Sequence, residues 1–199
     1  MKRTTAIAIV LSAMPAMSAS ATMTPARLLL LLSVLLPSLA GAQPKPAAQP
    51  SRADILAAAT DIVQQARYCT LATIGEDGHP QARIVDPLGP DASFTLWIAT
   101  NPLTRKVAQI RRDSRVTLLC FDAATSSYVT VLGRGAIVTD PAERARRWKD
   151  DWTPFYASGA TGQDVMLIRV APVRLEIVSV ERGFSGDPKT WRPLTIDFP

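Results

Sequence analysis

The chain has 199 residues, with 22 Lys and Arg against 17 Asp and Glu, two cysteines and a single histidine. That length suits one domain with an appendage, and so few His and Cys exclude a zinc site built on clustered ligands. The net charge of +5 is no sign of nucleic-acid binding: the first 42 residues hold Lys2, Arg3, Arg27 and no acid, leaving 19 cations against 17 acids beyond them, a net of +2.

Those first 42 residues carry two short apolar stretches, Ala6 to Leu11 and Leu28 to Leu36, the second followed by Pro37 and ending Leu39-Ala40-Gly41-Ala42. A basic start, a short apolar run and a small-residue end describe a secretory signal peptide. The run is shorter than the roughly 20 residues of a spanning helix, so no stable membrane span is expected. Initiation at Met23 gives a compact signal with a cut after Ala42. Gln43 to Pro50 then reads as a Pro- and Ala-rich linker.

Ser51, with Asp54 three positions on, opens a helix in which Ile55, Ala59, Ile62 and Ala66 recur at helical spacing. The period then changes. Tyr68 to Ile74, Gln81 to Val85, Phe94 to Ala99, Val116 to Phe121, Tyr128 to Val138, Val165 to Val170 and Leu175 to Val180 read as strands. Asn101-Pro102 predicts a helix to about Arg112 and Asp140-Pro141 another to about Lys149. A domain over 51–182 is expected, with a Gly- and Pro-rich tail from Gly183. Many short strands and few helices predict a mainly β fold, an antiparallel barrel with peripheral helices. Cys69 and Cys120 can pair in an oxidising compartment, but both lie in apolar strand-like runs, which favours buried free thiols. His79 reads as a turn residue.

The stretch Trp97 to Lys106 carries the chemistry. A strand ends at Thr100 and a helix follows at once with Thr104-Arg105-Lys106 in its first turn. Cations are unfavourable at a helix N-terminus, where the dipole is already positive. Two of them beside hydroxyls and free N–H groups make sense as a phosphate cradle, although solvated surface cations would leave the same pattern. Arg83, mid-strand among apolar neighbours, needs a partner and can converge on the same anion.

A strand Leu71-Ala72-Thr73, the turn Asp77-Gly78-His79-Pro80, then Arg83, then Leu96-Trp97-Ile98-Ala99-Thr100 and the triplet Thr104-Arg105-Lys106 together resemble the pyridoxamine 5'-phosphate oxidase-like family. Trp148 and Trp152 are similar to its general-stress-protein branch. The resemblance spans roughly Arg67 to Val178 and implies an FMN-binding split β-barrel that forms a homodimer with the ligand site at its interface. It implies that Arg83, Arg105 and Lys106 hold the FMN phosphate with the Thr104 hydroxyl, and that Thr100 lies beside the phosphate or ribityl chain. The backbone at Ile84, Val85 and Ile98 would face the flavin ring, while Tyr128 and Trp152 would approach it from the partner subunit. For both tryptophans ordinary core packing is an equal expectation.

Pro87 and Leu88 stand where the oxidases of vitamin B6 carry a Lys, and Trp191-Arg192-Pro193-Leu194 only faintly echoes their substrate-phosphate motif. The expectation is therefore a periplasmic or secreted FMN-dependent oxidoreductase for another small molecule, with no catalytic residue named. The alternatives are a non-catalytic flavin-binding or stress-response protein, a deazaflavin or haem ligand, and a structural dimer without a ligand. Export adds a tension, because secretion of an unfolded chain leaves FMN behind.

Overall fold

In the computed structural model, residues 49–199 are described. The expected signal peptide and most of the linker lie outside them. Helix α1 (Arg52–Ala66) starts at a complete capping box, the Ser51 hydroxyl accepting from the Asp54 N–H and the Asp54 carboxylate from the Ser51 N–H. Its stripe of Ile55, Ala58, Ala59, Ile62 and Val63 is buried in the main apolar core. Eight strands follow: β1 (Cys69–Ile74), β2 (Pro80–Val85), β3 (Pro87–Leu88), β4 (Leu96–Thr100), β5 (Arg115–Asp122), β6 (Ser127–Val138), β7 (Met166–Val178) and β8 (Leu194–Asp197). Between them lie α2 (Arg105–Arg112) and α3 (Pro141–Arg146), and 3-10 turns at Asp150–Trp152 and Gly159–Thr161.

All the strands pair antiparallel in one curled sheet ordered β2-β1-β5-β6-β7-β4-β3, with β8 added to β7. The expected mainly β split barrel is what forms. Alternation decides the faces: Cys69, Leu71 and Thr73 of β1, Val116, Leu118 and Cys120 of β5, and Val129 and Val131 of β6 are buried, and their neighbours along each strand point outward. The curl needs a bend in the long β6–β7 pair, supplied by a register shift between Leu132 and Gly133. A Cβ on Gly133 would sit 2.4 Å from the Ala171 carbonyl oxygen, so only glycine fits there.

Several expectations are corrected. The two strands expected over 165–180 are one, β7, because Pro172 falls opposite Gly133 at the bulge, where a missing N–H does no harm. The tail is not merely irregular: Leu194–Asp197 pairs with Arg174–Ile177, continuing the edge where β4 pairs with Met166–Val170. The strand expected from Phe94 starts at Leu96 as β4 and is covered on both faces, Leu96, Trp97, Ile98 and Thr100 all being buried. α2 starts at Arg105 rather than Pro102, because Asn101 closes a turn first: its side chain accepts from the Leu103 N–H and its carbonyl from the Thr104 N–H. Asp140 caps α3 as expected, but that helix ends at Arg146. The expectation of free thiols is also overturned. Cys69 and Cys120 stand opposite each other in the β1–β5 ladder and form a disulfide across 4.4 Å between Cα atoms. Their sequence separation of 51 hides that register in the sequence.

Among the described residues no helix is long and apolar enough to cross a membrane, and no group of three or more His, Cys, Asp or Glu side chains is placed to hold a metal ion.

Candidate functional site

β4 and α2 build the site. Thr104 is the N-cap of α2, yet its side chain caps nothing: the hydroxyl goes to the Asn101 carbonyl oxygen at 2.9 Å and the Thr100 hydroxyl at 3.0 Å. The helix has no acid in its first turn and opens with Arg105 and Lys106. Arg83 reaches the same place from β2. Burial, and then the charge of Arg105, push its guanidinium below the usual arginine range. Burial, and then the charge of Arg83, push the Lys106 ammonium down as well. None of the three forms an ion pair among the described residues, a feature they share with other cations such as Arg52, Arg134 and Arg169. Arg83 thus feels the charge of Arg105 and Lys106 that of Arg83, and like charges gathered at a helix N-terminus are unfavourable alone and become favourable once an anion sits among them.

The Arg83 guanidinium is aimed by neutral partners. Nη1 donates to the Leu71 carbonyl oxygen at 3.2 Å and the Thr73 hydroxyl at 2.6 Å, and Nη2 donates to Gln109 Oε1 at 3.0 Å. Three of the five guanidinium N–H donors are thereby used. The Nε–H and one Nη2–H, adjacent on one edge of the fork, keep no partner among the described residues. That edge has the geometry that grips phosphate or carboxylate in a bidentate manner.

Beside the cations opens a cleft of about 370 Å³ lined by Ile84, Val85, Ala99, Asn101, Thr104 and Lys106 on one side. Tyr68, Trp152, Phe155 and Tyr156 line the other. Its size falls within the range of about 300–1,000 Å³ typical of small-ligand sites. The aromatic wall is held by packing and ion pairs. Trp152 meets Trp148 edge-on at 5.8 Å, and Trp148 meets Tyr156 at 6.3 Å. Lys149 binds Asp86 at 3.0 Å and Arg67 binds Asp151 at 3.1 Å, tying the wall to the end of β2 and the end of α1. The Tyr156 phenol is pushed up by burial and then by the Asp164 charge, so it stays protonated at neutral pH.

Of the sequence-predicted residues, Ile84, Val85, Thr104, Lys106 and Trp152 line this cleft, and Thr100 supports Thr104 from behind. Arg105 looks into an adjoining recess with Glu76, Asp77, Gln81 and Gln109. Ile98, whose backbone is the expected contact, is 1% exposed and stands in register with Pro87 and Ile168, and its neighbour Ala99 lines the cleft. Tyr128 pairs with Phe121 and Val178 and is not part of the cleft lining of its own chain. Trp152, 3% exposed, packs into the wall of its own chain. Sequence reasoning missed Tyr68, Asp86, Tyr156 and Gln109. For Gln109 a signal existed: it shares the buried stripe of α2 with Val107 and Ile110, and a buried amide demands partners.

The outward face of the sheet adjoins the cleft. Ile84, Thr70, Leu119 and Thr130 stand in register across β2, β1, β5 and β6, with Phe121 and Tyr128 paired beside them. Ile84, Leu119 and Phe121 are 67%, 40% and 53% exposed, and Tyr68 at 54% extends the patch to the cleft mouth.

Comparison with known proteins agrees with this architecture. A protein related to general stress protein 26, of the pyridoxinephosphate oxidase family, from Clostridium acetobutylicum is similar with a TM-score of 0.61 at 19% identity, over 72% of this chain and 94% of that one. General stress protein 26 from Bacillus anthracis gives 0.59 at 19% identity, over 72% and 98%. A pyridoxamine 5'-phosphate oxidase-related, FMN binding protein from Nostoc punctiforme gives 0.55 at 17% identity, over 77% and 98%. At such identities the likeness speaks for the fold. The search of curated proteins found no match. The family model for pyridoxamine 5'-phosphate oxidase matches residues 55–179, more than half of the 199 residues and all of the strands that carry the site. The chain belongs to that family.

Proposed function

We propose that the protein binds FMN in the cleft, the phosphate held by Arg83, Arg105, Lys106 and the Thr104 hydroxyl, and acts as an oxidoreductase on a small molecule other than a vitamin B6 phosphate. The observation that carries this reading is that Arg83 lies within charge range of both Arg105 and Lys106 at the start of α2, beside a cleft with aromatic lining. The charge suits a phosphate dianion, and the aromatic and aliphatic side chains among the lining residues suit a planar ring. Bound FMN would supply hydride chemistry, while the protein supplies orientation and electrostatics. The protonated Tyr156 phenol is a hydrogen-bond donor available to a substrate carbonyl.

The working form in this reading is a homodimer joined through the outward sheet face, so that Tyr128 and Phe121 of one copy close the cleft of the other. The exposed apolar patch continuous with the cleft mouth supports it. Phe121→Glu with Leu119→Glu places charges in that patch. The expected result is a halved mass on gel filtration with the fold retained by circular dichroism. An unchanged mass contradicts this interface.

Export is part of the same proposal. The basic and apolar leader supports it, as does the Cys69–Cys120 disulfide, a bond that persists in oxidising compartments.

Anaerobic reduction of the FMN-loaded protein by NADPH, followed by reoxidation with small-molecule acceptors, tests the activity. Bleaching and acceptor-dependent recovery are expected. FMN that binds but is reduced only by dithionite would make the protein a flavin carrier. Retention of a deazaflavin in preference to FMN would replace the cofactor, and a haem spectrum would overturn the cradle, since the one histidine, His79, sits in an exposed turn.

A further inference from the structure

Gln109 is 6% exposed on a short helix, is not among the residues lining the cleft, and still uses both ends of its amide. Oε1 accepts from the Thr73 hydroxyl at 2.6 Å and from Arg83 Nη2 at 3.0 Å, and Nε2 donates to Gln81 Oε1 at 2.8 Å. Thr73, fully buried, accepts from Arg83 Nη1 and passes its own proton to Gln109. The amide can face only one way, because turning it over sets its NH₂ against the Arg83 and Thr73 donors. The direction of every hydrogen bond in the network is therefore fixed, from Arg83 through Thr73 and Gln109 to Gln81.

We infer that Gln109, with Thr73, is a positioning residue that aims Arg83 at the ligand phosphate and keeps its charge available. This rests on the reading of Arg83 as a phosphate ligand. The network closes the Nη1–Nη2 edge of the guanidinium and leaves the Nε–Nη2 edge open. Every partner in it is neutral, so no carboxylate competes with the ligand for the cation. A glutamate at 109 would fit the same space but pair with Arg83, cancelling the charge the phosphate needs and drawing the fork inward.

The test compares FMN with riboflavin, which shares the ring and ribityl chain and lacks the phosphate, by fluorescence titration of the full chain carrying Gln109→Glu. The expected result is FMN binding about ten- to a hundredfold weaker, the span of one lost charge-assisted hydrogen bond, with riboflavin binding unchanged. A merely structural role for Gln109 would weaken both alike. Thr73→Val, which keeps the side-chain shape and removes the hydroxyl, is expected to show the same selective loss and decides the matter if the first variant does not melt cooperatively. An unchanged ratio of FMN to riboflavin affinity in the folded variants, with Arg83→Ala still losing FMN selectively, overturns the role of Gln109 alone. If wild type binds FMN no better than riboflavin, the phosphate reading of Arg83 falls and this inference with it.

Discussion

Removing the two cations of the first turn of α2, as Arg105→Ala with Lys106→Met, is expected to weaken FMN binding by about two to four orders of magnitude, each lost charge-assisted contact counting for about 1.5–3 kcal/mol. Methionine at 106 retains the apolar stem that covers the helix start while discarding the charge. Stability of the ligand-free protein should move the other way, rising by up to about 1 kcal/mol, because two positive charges leave the positive end of a helix dipole. A residue pair that served the fold would lose stability instead, so isothermal titration and chemical unfolding of the same variant separate the two roles.

The pH dependence of FMN binding follows from the same cluster. In the free protein the Lys106 ammonium is held below the usual lysine range by burial and by Arg83, and a bound dianion would raise it again. Affinity should therefore stay level until the pH reaches that lowered value, then fall about tenfold per pH unit as binding begins to require proton uptake. Lys106→Met should remove this alkaline limb. Binding should also weaken at acid pH, where a phosphate monoester takes up its second proton near a pKa of about 6.

The second large effect concerns the disulfide. Cys69→Ala with Cys120→Ala is expected to cost about 4 kcal/mol of unfolding free energy, the chain-entropy value for a loop closed across a separation of 51 residues. The bond staples β1 to β5 in the middle of the core, and Val85, opposite Cys69 on β2, reaches the cleft. Guanidinium unfolding with and without a reductant checks it. A midpoint that ignores the reductant, or two free thiols titrated in the denatured protein without reductant, contradicts the pairing.

Much of this was legible in the sequence because it rests on local rules. The Ser51–Asp54 capping box, the Asp140-Pro141 helix start and the alternation in β1, β5 and β6 all follow from neighbours in the chain. The cation pair at Arg105 and Lys106 was visible for the same reason, since its oddity is local to one helix turn. What escaped depends on register between distant segments. The disulfide pairs Cys69 with Cys120 through the β1–β5 ladder, and β8 is a strand only because the lower half of β7 offers it an edge. Pro172 looked like a strand break because its tolerance depends on Gly133 across the ladder. The aromatic wall is half legible: Trp152 stands out in the sequence and Tyr156 follows it by one turn, whereas Tyr68 reaches the same cleft from the far-off start of β1. Gln109 was overlooked because the meaning of a buried amide lies in its partners, and Thr73, Gln81 and Arg83 are 26 to 36 residues away.

The measurement that tests the central claim most directly is a visible spectrum of the purified segment from Gln43 after incubation with FMN and gel filtration. The account predicts a flavin spectrum that travels with the protein, near one FMN per chain, and that is lost on filtration of the Arg105→Ala, Lys106→Met variant. A colourless wild-type protein, or a variant that retains FMN as well as wild type does, would contradict it.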